Sequence, residues 1–528
     1  MKNQKLLSIM LMGIVLSLTM FVGVRTTFPA VPTDTLTVAM ATLGDETFLP
    51  WNGSGTRSCY LNPIYDFLLY SEPGTGKVLP GLATRWEMSV DGKTWTFWLR
   101  KGVQFHEGWG ELTAEDVVYS MKRFVGPESQ SGPGRQLGGW LDKVEAPETY
   151  KVVFHLKTSL ADLPAASLVD TMQLGIVSKK YLETVGDEKA NSHPIGTGPY
   201  TPFEHKKGFP IKLTTISGVE KHWRLTTPQF KNINFLIVPE ESTRVAMLRS
   251  GEVDLAPISY DSVETIKASG LKIISIPNSW GPAIKFGGLV MTDPKRYKSN
   301  NPWVDKRVRQ ALNYAVDKEA IAKGIFHGEA SPTGAAQILP EFFDIKPYPY
   351  DPSKARQLLA DAGYPKGFDI TLKAFPLSPG AELPIIGQTV AMYWQQIGLN
   401  VKIVPSDWNT VRSEWTSGKA LDYAWTHRGV PFSSPASGIS VEHTTQMTYA
   451  TFVTEKADSM ARTISKELDL KKRSALVREI GDYLRDEAFA VFLVFANEPY
   501  GGSKRLGKWP TPTMSNYPIN IEYITLMK

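Results

Sequence analysis

The residues best suited to hold a ligand lie far apart in the chain: Asp45 and Glu46 in a polar loop, Trp280 near the middle, and Trp425, His427 and Arg428 close together. An indole offers a broad rigid face and one N–H donor, so Trp280 and Trp425 suit a sugar ring or another flat group. His427 and Arg428 could bond hydroxyls or an anion, Arg428 through its planar fork. No carboxylate stands between Ala424 and Pro431. These residues are expected to bind, and no catalytic residue is assigned. Hydrolysis needs an activated nucleophile, yet Cys59, the only cysteine, has no histidine near it in sequence, and no Gly-x-Ser-x-Gly elbow occurs. The eight histidines are dispersed, and even His193 and His205 are too far apart to share a helical turn, so no metal site and no cofactor is expected. Two other classes stay open: an extracytoplasmic hydrolase assembled from distant residues, and a surface chaperone-like binder with an exposed apolar groove. Turnover of a ligand marks the first, and a permanently open groove marks the second.

The elements that must position these residues begin behind an apolar leader. Lys2 and Lys5 precede an apolar run from Leu6 to Val24, the pattern of an export signal. The run also reaches the lower limit of a membrane span, and no clean small-x-small cleavage site follows it, so residues 1–33 read as a signal peptide or a retained N-terminal anchor. Either way the remainder lies on the periplasmic or extracytoplasmic side. Three of the five net positive charges sit in Lys2, Lys5 and Arg25, which leaves +2 for the rest and no reason to expect nucleic acid. About 495 residues are enough for several domains with large cores, and a single cysteine excludes a disulfide-stapled fold.

Alternating residues predict strands at 35–40, 95–100, 150–156, 212–215, 232–238 and 253–256. Asp45 to Asn52 follows the first strand as a loop, where a ligand at the strand's carboxyl end would meet it. Helical spacing predicts helices over 58–70, from Thr113 with Asp116 as reciprocal cap, over 244–248, over 354–362 and over 384–397. Helix, glycine and strand recur in both halves, which predicts two α/β lobes.

Several stretches resemble one family closely. Leu79-Pro80-Gly81-Leu82-Ala83, Asp91-Gly92, Trp95-Thr96-Phe97 and Leu99 to Gly108 run into Leu112-Thr113-Ala114-Glu115-Asp116-Val117. Gly196-Thr197-Gly198-Pro199-Tyr200, Val308 to Lys318 and Tyr350-Asp351-Pro352-Ser353-Lys354-Ala355 follow in the same order. Together they resemble the extracytoplasmic solute-binding proteins of the oligopeptide, dipeptide and nickel importer class. The resemblance implies a non-enzymatic, monomeric component of an ABC import system that carries a solute to the membrane permease. It also implies an α/β, two-lobed periplasmic-binding-protein fold of type II, with an extra inserted domain and the ligand cleft between lobes. On that pattern the first lobe is 34–58, 191–281 and 499–528, the insertion 59–190 and the second lobe 282–498.

Peptide binders of this class carry an acidic residue for the peptide amino group in the segment that matches Asp422 to Pro431. Here no carboxylate lies between Ala424 and Pro431, and Arg428 would repel an ammonium if both faced the cleft. The resulting expectation is an oligosaccharide or another non-peptide organic solute, with an oligopeptide as the alternative. Asp45, Glu46, Trp280, Trp425, His427 and Arg428 are its expected contacts.

Overall fold

Strand alternation and parallel crossovers build one large sheet through both halves of the molecule. The computed structural model describes residues 33–527 apart from 54, 225, 226, 378, 433, 513, 514 and 516. The leader or anchor expected over 1–33 lies, but for Thr33, outside the described residues. Among the described residues no helix is long and apolar enough to cross a membrane.

The principal sheet has twelve strands, ten of them in one continuous order. In chain order these ten are β1 Thr35–Met40, β2 Tyr200–Glu204, β3 Ile211–Thr215, β4 Asn232–Ile237, β5 Leu255–Pro257, β6 Lys272–Phe286, β7 Asp369–Ala374, β8 Asn400–Pro405, β9 Ala424–Gly429 and β10 Val494–Gly502. Across the sheet they run β8-β7-β9-β6-β10-β5-β1-β4-β3-β2. Strand β1 pairs in parallel with β4 and β5, and β7 pairs in parallel with β8 and β9. The long antiparallel pair β6 and β10 joins these two parallel sets. A separate antiparallel sheet uses 83–88, 94–99, 151–156 and 141–148.

Five helices matter for the site or for the argument: α1 Ala114–Val125, α2 Glu241–Ser250, α3 Leu383–Gln396, α4 Trp408–Thr416 and α5 Pro435–His443. Asp116 caps α1 as expected, its Oδ2 accepting from Thr113 N at 2.8 Å. Gly251 ends α2 at φ +80°, a conformation that glycine enters without steric cost. One core joins β1 to the separate sheet, through Leu36, Val38, Phe97 and Phe154. A second core fills the other half around Ile284, Leu312, Trp394 and Phe492. The two halves also touch where Ser434 donates to Asp162 at 2.6 Å in a buried hydrogen bond.

The helix expected over 58–70 is only Ser58–Leu61, and Leu69–Ser71 is a strand instead. The reason is competition for backbone groups. The carbonyls of Pro63 and Ile64 accept from Tyr200 N and Gly198 N, and those of Phe67 and Leu68 accept from Leu82 N and Ala83 N. A Cβ at Gly196 or Gly198 would stand 2.0 Å from Ile64 O or 2.4 Å from Pro63 O. The glycines at 196 and 198 therefore let a second chain segment take the hydrogen bonds that a helix would have used.

Candidate ligand cleft

Parallel strands leave open backbone and loops at their carboxyl ends, and in α/β sheets ligands gather there. In this molecule β1, β5, β7 and β9 all end on one cavity of about 720 Å³ between the two halves. Met40 to Thr42 and Pro257 to Tyr260 supply one wall; Pro376, Leu377, Gly380 and Arg428 supply the other. The floor is the pair β6 and β10, which contributes Trp280 and Glu498 to Tyr500. Their register shifts between Ile276 and Trp280, so three residues of β6 face Asn497 alone, with Asn278 at φ +48°. Such a bulge re-aims the side chains around it. It brings Ser279 Oγ to within 3.2 Å of the Glu498 carboxylate, to which it donates.

The charged groups of the cavity differ in how far the protein already satisfies them. Glu241 accepts from Ser259 N, Ser259 Oγ and Ser262 Oγ at 2.6 to 2.8 Å. Burial works against its charge, but these bonds outweigh it and hold the carboxyl below its ordinary range. Arg244 donates to the carbonyls of Pro257, Val238 and Pro239 at 2.7 to 3.1 Å. By contrast, the buried Nε of Arg428 meets no acceptor among the described residues. Burial lowers its affinity for the proton, and Tyr517 partly offsets that. Burial pushes the Glu498 carboxyl up to about 7 against the opposing Ser279 bond, and it also raises Glu382, which directly precedes α3. Tyr517 senses both Arg428 and Glu498.

The structure separates the expected contact residues. Trp280 and Arg428 line the cavity. Trp280 is only 1 % exposed; its Nε1 donates to Tyr260 Oη at 2.9 Å, and Tyr260 donates in turn to Asn497 O. Trp425 and His427 turn away from the cavity, as period-two alternation along β9 requires once Arg428 faces it. Trp425 packs with Phe375, Val411, Trp415 and Tyr423. His427 stacks near Trp408 and Trp415 of α4, and burial, then the charges of Lys285 and Arg428, keep it neutral. Asp45 is exposed beside Gly53 and Arg57, while Glu46 Oε2 accepts from Gly208 N at 2.6 Å; neither lines the cavity. Glu498, Glu382 and Tyr517 were missed at the level of sequence. The available signal was Glu498 itself, a lone acid at the end of the apolar run from Ala488 to Ala496. Cys59 is buried, its thiol pushed up to about 12 by that burial, and among the described residues no cluster of three or more acids, histidines or cysteines could hold a metal.

Residues 77–445 match the model of the bacterial extracellular solute-binding proteins, family 5. The chain belongs to that family. It is a non-catalytic, extracytoplasmic binding protein that works with the permease subunits of an ABC transporter and carries a small organic solute. Among its relatives, the dipeptide-binding protein of Escherichia coli is 29% identical over 463 residues, 82% of this chain and 83% of the relative. Heme-binding protein A of Haemophilus influenzae is 29% identical over 416 residues, 71% of this chain and 72% of the relative. The structure of HbpA2 from Haemophilus parasuis superposes with a TM-score of 0.77 at 23% identity, covering 94% of this chain and 100% of the other, and shares the two-lobed fold. The expectation of an oligosaccharide is overturned: these sequence relatives are named for a dipeptide and for heme, neither a saccharide. The physical reason is that Trp425 and His427, on which the saccharide reading leaned, face a packed aromatic cluster instead of the cavity.

Proposed function

We propose that this family 5 binding protein captures a short peptide or peptide-like zwitterion and delivers it to the permease by closing its lobes around it. The observation that carries this reading is an interlobe cavity lined by a cation whose Nε meets no acceptor among the described residues and by a carboxyl that accepts from Ser279. Its volume lies inside the range of about 300–1,000 Å³ that encloses small organic ligands. A saccharide would leave a buried guanidinium and carboxylate without counter-charges, whereas a zwitterion supplies both. The lobe division 34–58, 191–281 and 499–528 against 282–498, with 59–190 inserted, is part of the proposal, because the β6 and β10 crossovers then form the hinge. A ligand that touches both walls favours the closed population by its differential affinity.

Calorimetry with di- to pentapeptides tests the reading, and one site per monomer is expected. X-ray scattering with a bound peptide should show compaction. Absence of any peptide binding, or saturation without compaction, would each refute the corresponding half of the proposal.

A further inference from the structure

We infer that the cavity fixes the direction of its ligand, with the ligand's carboxylate on Arg428 and its ammonium group on Glu498. This rests on the peptide reading above and adds to it which end goes where.

Among the described residues, five charged side chains line the cavity. Glu241 and Arg244 are spent on serine donors and on three backbone carbonyls. Asp45 and Glu46 lie off the lining. What remains is Arg428 at the end of β9, Glu498 on β10 and Glu382 at the start of α3. A half-buried guanidinium whose Nε has no acceptor is costly unless something else provides one, and a carboxylate fits its planar fork with two parallel hydrogen bonds. Glu498 has one donor, Ser279, and its other neighbours in charge are Tyr260, Tyr500 and Tyr517, none of them a cation. An ammonium group would supply the missing counter-charge. Tyr517 lines the same cavity as Arg428 and Glu498. Glu382 is the competing site for the amine: burial raises its carboxyl, its own backbone N–H opposes that, Asp261 adds to the rise, and its side chain makes no capping bond to α3.

The test uses the purified full-length chain in equilibrium dialysis against randomised tripeptide libraries in three forms: free termini, N-acetylated and C-amidated. Wild type is expected to retain members of the free library and to lose retention about tenfold or more on either modification. Arg428→Gln should abolish the difference between acid and amide and keep that between amine and acetyl. Glu498→Gln should do the reverse, and Glu382→Gln should alter neither. Ligand-free unfolding of each variant confirms that the folded fraction is being read. The inference falls if the two variants erase each other's discrimination, if Glu382→Gln rather than Glu498→Gln erases the amine preference, or if wild type binds peptides without regard to either terminus; in each case the peptide reading itself survives. Failure of all three libraries to bind wild type refutes that reading, and this inference with it.

Discussion

The two walls of the cleft carry the same kinds of residue and use them differently. On the wall that follows β1 and β5, Glu241 and Arg244 are held by serine donors and backbone carbonyls, so they tie the start of α2 to residues 238–239 before it and to residues 257–262 at and after the end of β5. On the wall and floor made by β9 and β10, the Nε of Arg428 meets no acceptor among the described residues, and Glu498 accepts from Ser279 with burial raising its carboxyl. Residue type alone does not mark a binding group. What marks it is a buried charge whose hydrogen bonds the fold has not completed.

The same contrast holds between the two faces of β9, and it yields the largest expected effect. Trp425→Ala removes a side chain 1 % exposed from the cluster with Trp415 and Phe375 and should cost about 3–5 kcal/mol of stability in chemical unfolding. Peptide affinity of the surviving folded fraction should be unchanged. A variant of ordinary stability with lost affinity would place the indole in the cleft and break the distinction between the two faces.

Arginine offers the next comparison. Arg244→Ala strips three carbonyls of their donor and should cost about 2 kcal/mol or more of ligand-free stability. Arg428→Met breaks no such bond, removes an unmatched buried charge and should leave ligand-free stability equal or higher. Equal destabilisation in the two variants would mean that both walls are structural.

Much of this organisation was legible in the sequence, for physical reasons that also show where legibility ends. Strand β1, α1 with its Thr113 and Asp116 cap, and α3 follow from local periodicity and capping, which depend on neighbours a few residues away. The segment after Leu61 looked helical because its apolar spacing is right, but Gly198 and Tyr200 claim its carbonyls from more than 130 residues away. No local pattern contains that information. Arg428 and Trp280 were legible as cleft residues, whereas Trp425 and His427 were grouped with Arg428 although alternation along a strand sends neighbours to opposite faces. Glu498 escaped because a Glu-Pro pair after an apolar run resembles an ordinary strand end; its burial depends on Ser279 and the bulge in β6.

Glu498 sharpens the comparison through pH. Its carboxyl titrates near 7 in the fold and lower in the unfolded chain, so the fold binds its proton more tightly. The stability it contributes is therefore full at pH below the unfolded value and is lost as pH rises through about 7. Glu498→Gln cannot ionise, so the variant should gain about 2 kcal/mol on wild type between pH 5 and pH 8. His427 and His443 titrate alike in both proteins and cancel in the difference. Binding should move the other way: an ammonium ligand needs the carboxylate, so peptide affinity of wild type should rise from pH 5.5 to pH 8, with proton release on binding at the lower pH. A difference in unfolding free energy that is flat with pH would remove Glu498 from the unsatisfied set.

The smallest expected effect concerns Glu46, which lies near the cleft in sequence order but belongs with the satisfied groups. Its carboxylate accepts from Gly208 N in a surface-exposed hydrogen bond, and its backbone sits at φ +50°. Glu46→Ala loses that bond, worth about 0.5–1 kcal/mol, and keeps the left-handed backbone, which costs an L residue about 1–2 kcal/mol. Glu46→Gly loses the same bond but relieves the backbone, so the two terms oppose and the net change should fall within about 0.5 kcal/mol of wild type. Alanine should therefore be the less stable of the two variants, and peptide affinity should stay within about twofold of wild type in both. That order of stabilities with unchanged affinity assigns the 45–52 loop a purely structural part. A tenfold loss of affinity in both variants would instead bring the loop into contact with the closed-state ligand, and the wall after β1 could no longer be treated as complete without it.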